Sequence, residues 1–203
     1  MKPYYRTRFI AGSLFKRNFR LVAGLENVPK QGPFLIAANH IDYLDGIRLA
    51  LVISEITGRE VCFISKTNNY ARWFPGSTIA INPENKAGVL AEAVEKIKSG
   101  WVIAIFPEGI RNSSPELLRG KSGLARLALT CQVPVLPIGL RGPSGRSFLH
   151  SVKLLLFKRG QVEMRVGQIM RFPPEEINDQ NLERVMRAVM QEVARLSQKT
   201  YKF

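Results

Sequence analysis

Apolar residues in this chain come in short unbroken runs separated by stretches of helical period, and that alternation predicts an α/β fold. The runs at 34–38, 61–65, 78–81, 101–106 and 135–138 have the length and composition of buried strands. Between them, Leu90, Val94 and Ile97 recur at helical spacing after a capping Asn85, and Leu124, Leu127 and Ala128 repeat the pattern. Helices on both faces of a mixed, mostly parallel sheet are expected, joined by right-handed crossovers. Two later runs, 152–157 and 161–166, flank Lys158-Arg159-Gly160 and are expected to add a hairpin at one sheet edge. Beyond Pro173-Pro174, one stripe holds Leu182, Val185, Met186, Val189, Val193 and Leu196, which predicts an amphipathic helix packed on the core.

Composition sharpens this in two ways. With 203 residues, 45% of them hydrophobic, the chain is large enough for one sizeable core and short for two, so a single domain is expected. The formal net charge of +14 calls for an anionic partner: nucleic acid, lipid headgroups or an acidic carrier protein. Nucleic acid is set aside, because neither an aromatic-rich strand signature nor a helix-turn-helix pattern is present. Residues 1–20 carry six basic side chains and no acid, interleaved with Tyr5, Phe9, Ile10, Leu14, Phe15 and Phe19. The segment reads as a basic amphipathic, membrane-contacting piece ahead of the domain at 21–203; a helix docked on its own domain is the plainer alternative. No apolar run approaches the ~20 residues of a membrane span, and the short stretch 9–15 is a poor signal peptide. A peripheral protein on the cytoplasmic face of a membrane is expected. Two cysteines, Cys62 and Cys131, sit in apolar stretches, which fits a reducing compartment, and no metal site is expected from two histidines without nearby cysteines.

Candidate chemistry lies where the strand runs end, since ligands of parallel sheets bind beyond the carboxyl ends of the strands. The first run ends in Asn39-His40, the second in Lys66, the third in Asn82, and the fourth in Pro107-Glu108-Gly109 with Arg111 close behind. If a helix starts just after His40, Asp45 lies about one turn in and can reach back to one imidazole nitrogen. The other nitrogen then becomes the acceptor that faces a substrate, which describes a general base without a Ser or Cys nucleophile. By itself a His and an Asp five positions apart carry little weight, and a structural histidine is the plain reading. Gly120-Lys121-Ser122 ends like a phosphate-binding loop, but Pro115 occupies the required first glycine position. Arg141 to Arg146 reads as a basic turn, His150 as a surface or packing histidine, and Asn112-Ser113-Ser114 as an unused glycosylation sequon.

Together, Asn39-His40-x4-Asp45, Phe106-Pro107-Glu108-Gly109-x-Arg111 and Val133-Pro134-Val135-Leu136-Pro137-Ile138-Gly139 resemble the glycerolipid acyltransferase family in content and order, over roughly residues 20–142. The resemblance implies a helix-flanked mixed sheet and transfer of an acyl group from acyl carrier protein or coenzyme A to a lysophospholipid such as 1-acylglycerol-3-phosphate. It also implies that His40 and Asp45 are the catalytic pair and that Glu108, Gly109 and Arg111 shape the acceptor phosphate site. Lys66 resembles the lysine that family members carry between their first and second blocks, and Lys66, Arg111 and Lys121 are the cations available to a phosphate. The thioester is a co-substrate; no metal or bound cofactor is implied. Two positions depart from the family pattern: Asn82 stands where an arginine is usual and Ile110 where a threonine is usual. A different lysolipid or a glycolipid acceptor is therefore the alternative, and a silent membrane adaptor a more distant one.

Overall fold

A computed structural model describes residues 12–65, 77–82 and 84–203. The strands are β1 (Phe19–Ala23), β2 (Leu35–Ala38), β3 (Val61–Ser65), β4 (Thr78–Ala80), β5 (Val102–Ile105), β6 (Val135–Arg141) and β7 (Val162–Val166). They form one sheet in the order β1-β7-β6-β2-β5-β3-β4, parallel at every neighbouring pair except β6 with β7. The helices are α1 (residues 12–18), α2 (Asp45–Thr57), α3 (Lys86–Lys98), α4 (Gly123–Cys131), α5 (Phe148–Phe157) and α6 (Asp179–Ser197). All five short apolar runs became strands, β2 to β6.

Side chains alternate across a strand, and here the alternation sorts the core into two layers. Leu35, Ala37, Cys62, Ile103 and Val135 point to one side, where α3, α4 and the apolar stripe of α6 cover them. Ile36, Ala38, Val61, Phe63, Ala104, Leu136 and Ile138 point to the other, against Leu49, Ala50 and Ile53 of α2. A small third cluster lies outside α2 and joins Phe15 of α1, Leu44, Leu51 of α2 and Leu155 of α5. Gly139 explains part of the third sequence block: a β-carbon there would lie 2.3 Å from the backbone of Leu196 and Ser197, so α6 can cross β6 closely only over a glycine. The cap expected at Asn85 forms, its side chain accepting from the Gly88 amide at 2.8 Å.

The expected edge hairpin does not form. Residues 152–157 belong to α5, whose entry is capped by Ser147 accepting from the His150 amide at 3.2 Å. Run length cannot separate a short helix from a strand, and here the helix won because Ser151 and Leu155, four apart, turn inward together. β7 does form, but it pairs with β6 on one side and β1 on the other. Of the basic segment at 1–20, residues 1–11 lie outside those described. Phe15 is buried in the third cluster and Phe19 opens β1 against the sheet core, so these two aromatic side chains turn toward the protein.

Candidate active site

The chain leaves β2 through Asn39, which is fully buried and clamps the exit. Its side chain donates to the Leu140 carbonyl at 2.9 Å and accepts from the Leu140 amide at 2.7 Å, tying the end of β2 to β6. His40 follows, with its ring stacked on Phe106 at a centroid distance of 4.1 Å. Its Nδ1 lies 3.0 Å from Oδ2 of Asp45. The helix, however, starts at Asp45 and not just after His40: residues 41–44 form a tight turn. Within that turn the Asp45 carboxylate reaches back to the amides of Ile41 and Asp42, both at 2.7 Å from Oδ2. Asp45 is fully buried, and its Oδ1 accepts from Arg48 at 3.1 Å.

Two amides on Oδ2 and Arg48 on Oδ1 make Asp45 an acceptor, so the neutral tautomer of His40 that suits it carries the proton on Nδ1 and leaves Nε2 with a free lone pair. A fifth of the His40 side chain remains accessible, against none of Asp45. The imidazole is thus held through Nδ1 by a buried carboxylate while part of its ring stays accessible.

Behind the pair stands a charged knot that sequence inspection did not find. Arg48, buried, donates to Asp42 at 2.8 Å, to Asp45 at 3.1 Å and to Asn18 at 3.1 Å. Asp42 also accepts from Ser151 Oγ at 2.5 Å, the Gly145 amide at 2.9 Å and the Leu44 amide at 3.0 Å. Burial pushes the Asp42 carboxyl upward, but the Ser151 hydroxyl, the Arg48 guanidinium and the two amides outweigh it and hold it below its ordinary 3.8. A carboxyl lowered on folding stabilises the fold above its unfolded pKa and loses that contribution as pH falls through the folded one. Relative to Asp42→Asn, the parent should therefore keep a constant stability advantage above about pH 5 that shrinks below 3.8, read from denaturant midpoints across the acid range.

The second block meets the first directly. The Asn112 amide donates to the His40 carbonyl at 2.6 Å. Asn112 Nδ2 bonds Glu108 at 2.6 Å and the Glu116 carbonyl at 2.7 Å, so the apparent sequon is the knot of this loop. Glu108 is buried; its Oε2 also accepts from the Leu118 amide at 3.0 Å, while its Oε1 has no partner among the described residues. It therefore organises its own loop, and among the described residues its bonds go to Asn112 and the Leu118 amide and not to Arg111 or Lys121. Gly109 has φ +73°, which favours glycine, and a β-carbon there would meet Lys121 Nζ at 2.7 Å. Its amide is committed to the Phe106 carbonyl at 3.0 Å. Arg111 is exposed, and its guanidinium stands 3.2 Å over the ring of Tyr43, in the turn between His40 and Asp45. Lys121 thus lies beside Gly109, and Arg111 beside the turn at residues 41–44. Lys66 falls outside the described residues.

Lys199 was also missed. Its ammonium holds the same loop by donating to the carbonyls of Asn112 at 2.8 Å and Ser114 at 2.6 Å. Burial pushes it below its ordinary 10.5, against the opposing pull of Glu108 and Asp45. The departures noted in the sequence have a structural counterpart: Asn82 spends its side-chain oxygen on the Glu84 amide at 2.9 Å, and Ile110 is exposed. Cys62 is buried, which pushes its thiol up to about 11 and makes it inert as a nucleophile. No group of three or more His, Cys, Asp or Glu positioned for a metal occurs among the described residues.

A mostly parallel sheet flanked by helices, with a hydrogen-bonded His-Asp pair and the Glu108 to Arg111 loop at the carboxyl ends of adjacent strands, defines the class as an α/β protein. The Acyltransferase family model matches residues 20–141, and the chain belongs to that family. It is 28% identical over 167 residues to 1-acyl-sn-glycerol-3-phosphate acyltransferase beta of Homo sapiens, covering 75% of this chain and 58% of the human one. Against 1-acyl-sn-glycerol-3-phosphate acyltransferase of Bacillus subtilis (strain 168), identity is 25% over 150 residues, 70% of this chain and 69% of that one. The chloroplastic enzyme BAT2 of Brassica napus is 30% identical over 131 residues, 60% of this chain and 37% of its own length. The chain therefore spans about half the length of several curated relatives it matches. The fold is that of the crystal structure of the 1-acyl-sn-glycerophosphate (LPA) acyltransferase, PlsC, from Thermotoga maritima, with TM-score 0.60, 23% identity, and coverage of 93% of this chain and 81% of that one.

Proposed function

We propose that the protein is an O-acyltransferase that moves a fatty acyl group from a thioester, of acyl carrier protein or coenzyme A, to the free hydroxyl of 1-acylglycerol-3-phosphate in phospholipid biosynthesis. The observation that carries this reading is the 3.0 Å contact of His40 with a fully buried Asp45 at a rim shared with the Glu108 to Arg111 loop. The names of the relatives favour this acceptor. In the proposed step, His40 Nε2 takes the hydroxyl proton as the oxygen attacks the thioester carbonyl. Collapse of the tetrahedral intermediate breaks the carbon–sulfur bond, and the imidazolium returns its proton to the leaving thiolate. The step requires no metal and no bound cofactor.

In this reading Arg111 and Lys121 meet the acceptor phosphate, and Oε1 of Glu108, without a partner among the described residues, offers a buried acceptor to a ligand hydroxyl. Gly109 serves by its shape, since its amide is already used. Arg111→Ala should raise KM for the lysophosphatidate about tenfold or more with kcat changed less, because it removes a charge-assisted contact outside the reacting atoms. Steady-state kinetics at fixed thioester would check this. An anionic membrane surface is the proposed working location, with the basic segment at 1–20 contributing to its recognition.

A second acceptor class, a glycolipid or another lysolipid, is favoured by Asn82, whose side chain is engaged locally and carries no charge. One experiment separates the two: purified protein with a panel of lysolipids plus both thioesters, products read by mass spectrometry. Diacylglycerol-3-phosphate as the dominant product supports the first reading; a different dominant acceptor supports the second; no acylated lipid from any pair refutes both.

A further inference from the structure

Helix α5 breaks the rule that surface helices turn their polar side outward. Of nine large hydrophobic side chains exposed among the described residues, four lie on its ten residues: Phe148 at 51%, Leu149 at 71%, Leu156 at 44% and Phe157 at 78%. At 100° per residue, Phe148, Val152, Leu156 and Leu149 fall within an arc of about 100° that adjoins the arc burying Ser151 and Leu155, with Phe157 at the last turn. Among the described residues, the buried contacts of the helix are made by the adjoining arc of Ser151 and Leu155.

Its surroundings are basic. From Arg146 to Gly160 the chain carries Arg146, Lys153, Lys158 and Arg159 and no acid. All four are exposed. An apolar stripe framed by cations is the complement of an anionic lipid leaflet, which takes hydrocarbon side chains below its headgroups and holds Lys and Arg at them. The far end of α5 also meets the N-terminal segment: Arg17 donates to the Leu156 carbonyl at 2.8 Å and Asn18 to the Lys158 carbonyl at 3.2 Å. The stripe is thus continuous with the basic stretch that leads into β1.

The helix is wired to the catalytic turn. Ser151 Oγ and the Gly145 amide both donate to Asp42. A β-carbon on Gly145 would lie 2.0 Å from Ser151 Oγ, so the contact depends on glycine. Phe148 meets the edge of Tyr43 at a centroid distance of 6.4 Å, and Tyr43 carries Arg111 on its ring.

We infer that α5 is a bilayer-docking helix, whose exposed stripe enters an anionic leaflet and thereby sets the His40 rim at headgroup level, where a lysolipid presents its hydroxyl. The orientation of the rim rests on the acyl-transfer reading; the docking itself does not.

The test uses the full chain, the surface variant Leu149→Gln/Phe157→Gln, and Phe157→Trp, with vesicles of phosphatidylglycerol and phosphatidylcholine. The double variant should bind at least about tenfold more weakly than the parent in co-sedimentation, since two of the most exposed apolar anchors are gone. Its transfer rate with a short-chain lysophosphatidate below its micelle concentration should stay within about twofold of the parent, because neither side chain touches the site. The fluorescence gained in Phe157→Trp should be quenched by lipids brominated along their chains. Equal vesicle affinity of parent and double variant, or an unquenched Trp signal, overturns the inference. So does a parent dimer in sedimentation velocity that the double variant abolishes, which would assign the stripe to a second copy. Absence of transfer by the parent with every thioester would instead sink the enzymatic reading and leave the docking result intact.

Discussion

Replacing His40 with alanine should lower acyl transfer by about 10²–10⁴-fold while leaving the fold in place. The size follows from the role: a positioned base removes a proton that a lysolipid hydroxyl would otherwise hold at neutral pH. The preserved fold follows from the geometry, since the imidazole is partly exposed and its losses are one stacking contact with Phe106 and one bond to Asp45. The Ile41 and Asp42 amides and Arg48 still satisfy the carboxylate when the ring is gone. Circular dichroism and unfolding curves close to the parent, beside the lost rate, would separate a chemical role from a structural one.

Arg48→Ala should cost about 3–5 kcal/mol, because it leaves the buried Asp42 and Asp45 carboxylates facing one another without their shared cation. Against a typical total of roughly 5–15 kcal/mol, this is a large fraction of the stability of the domain. The guanidinium also binds Asn18, so the loss should loosen α1 as well. Urea unfolding would report it; a change under about 1 kcal/mol would mean that the charge balance behind the catalytic pair is not set by Arg48.

The sequence made the sheet legible because strands buried on both faces are apolar without interruption, and β2 to β6 stand out for that reason. The ends of those strands then pointed to His40, Glu108 and Arg111. Two kinds of feature stayed hidden. One was α5, whose outward apolar stripe erased the polar positions that would have marked its helical period, so that 152–157 read as a strand. The other was the support of the site: Arg48, Asn112 and Lys199 make their decisive contacts through the fold, and Lys199 reaches a loop 87 residues earlier. Arg48 alone left a trace, one turn after Asp45 on the same helix. The start of α2 was misplaced for a related reason: Asp45 closes the turn through backbone amides, a geometry that spacing alone does not distinguish from a helix begun earlier.

Rapid-quench single turnover of the parent and of His40→Ala, with product lipid and intact protein mass followed together, tests the direct base-assisted transfer most closely. The parent should release thiol and doubly acylated lipid in equal amounts at every time point, its own mass unchanged, and the alanine variant should form neither on that timescale. Product from the variant at a rate within about tenfold of the parent, or an acyl group found on the protein that later passes to the lipid, would contradict it.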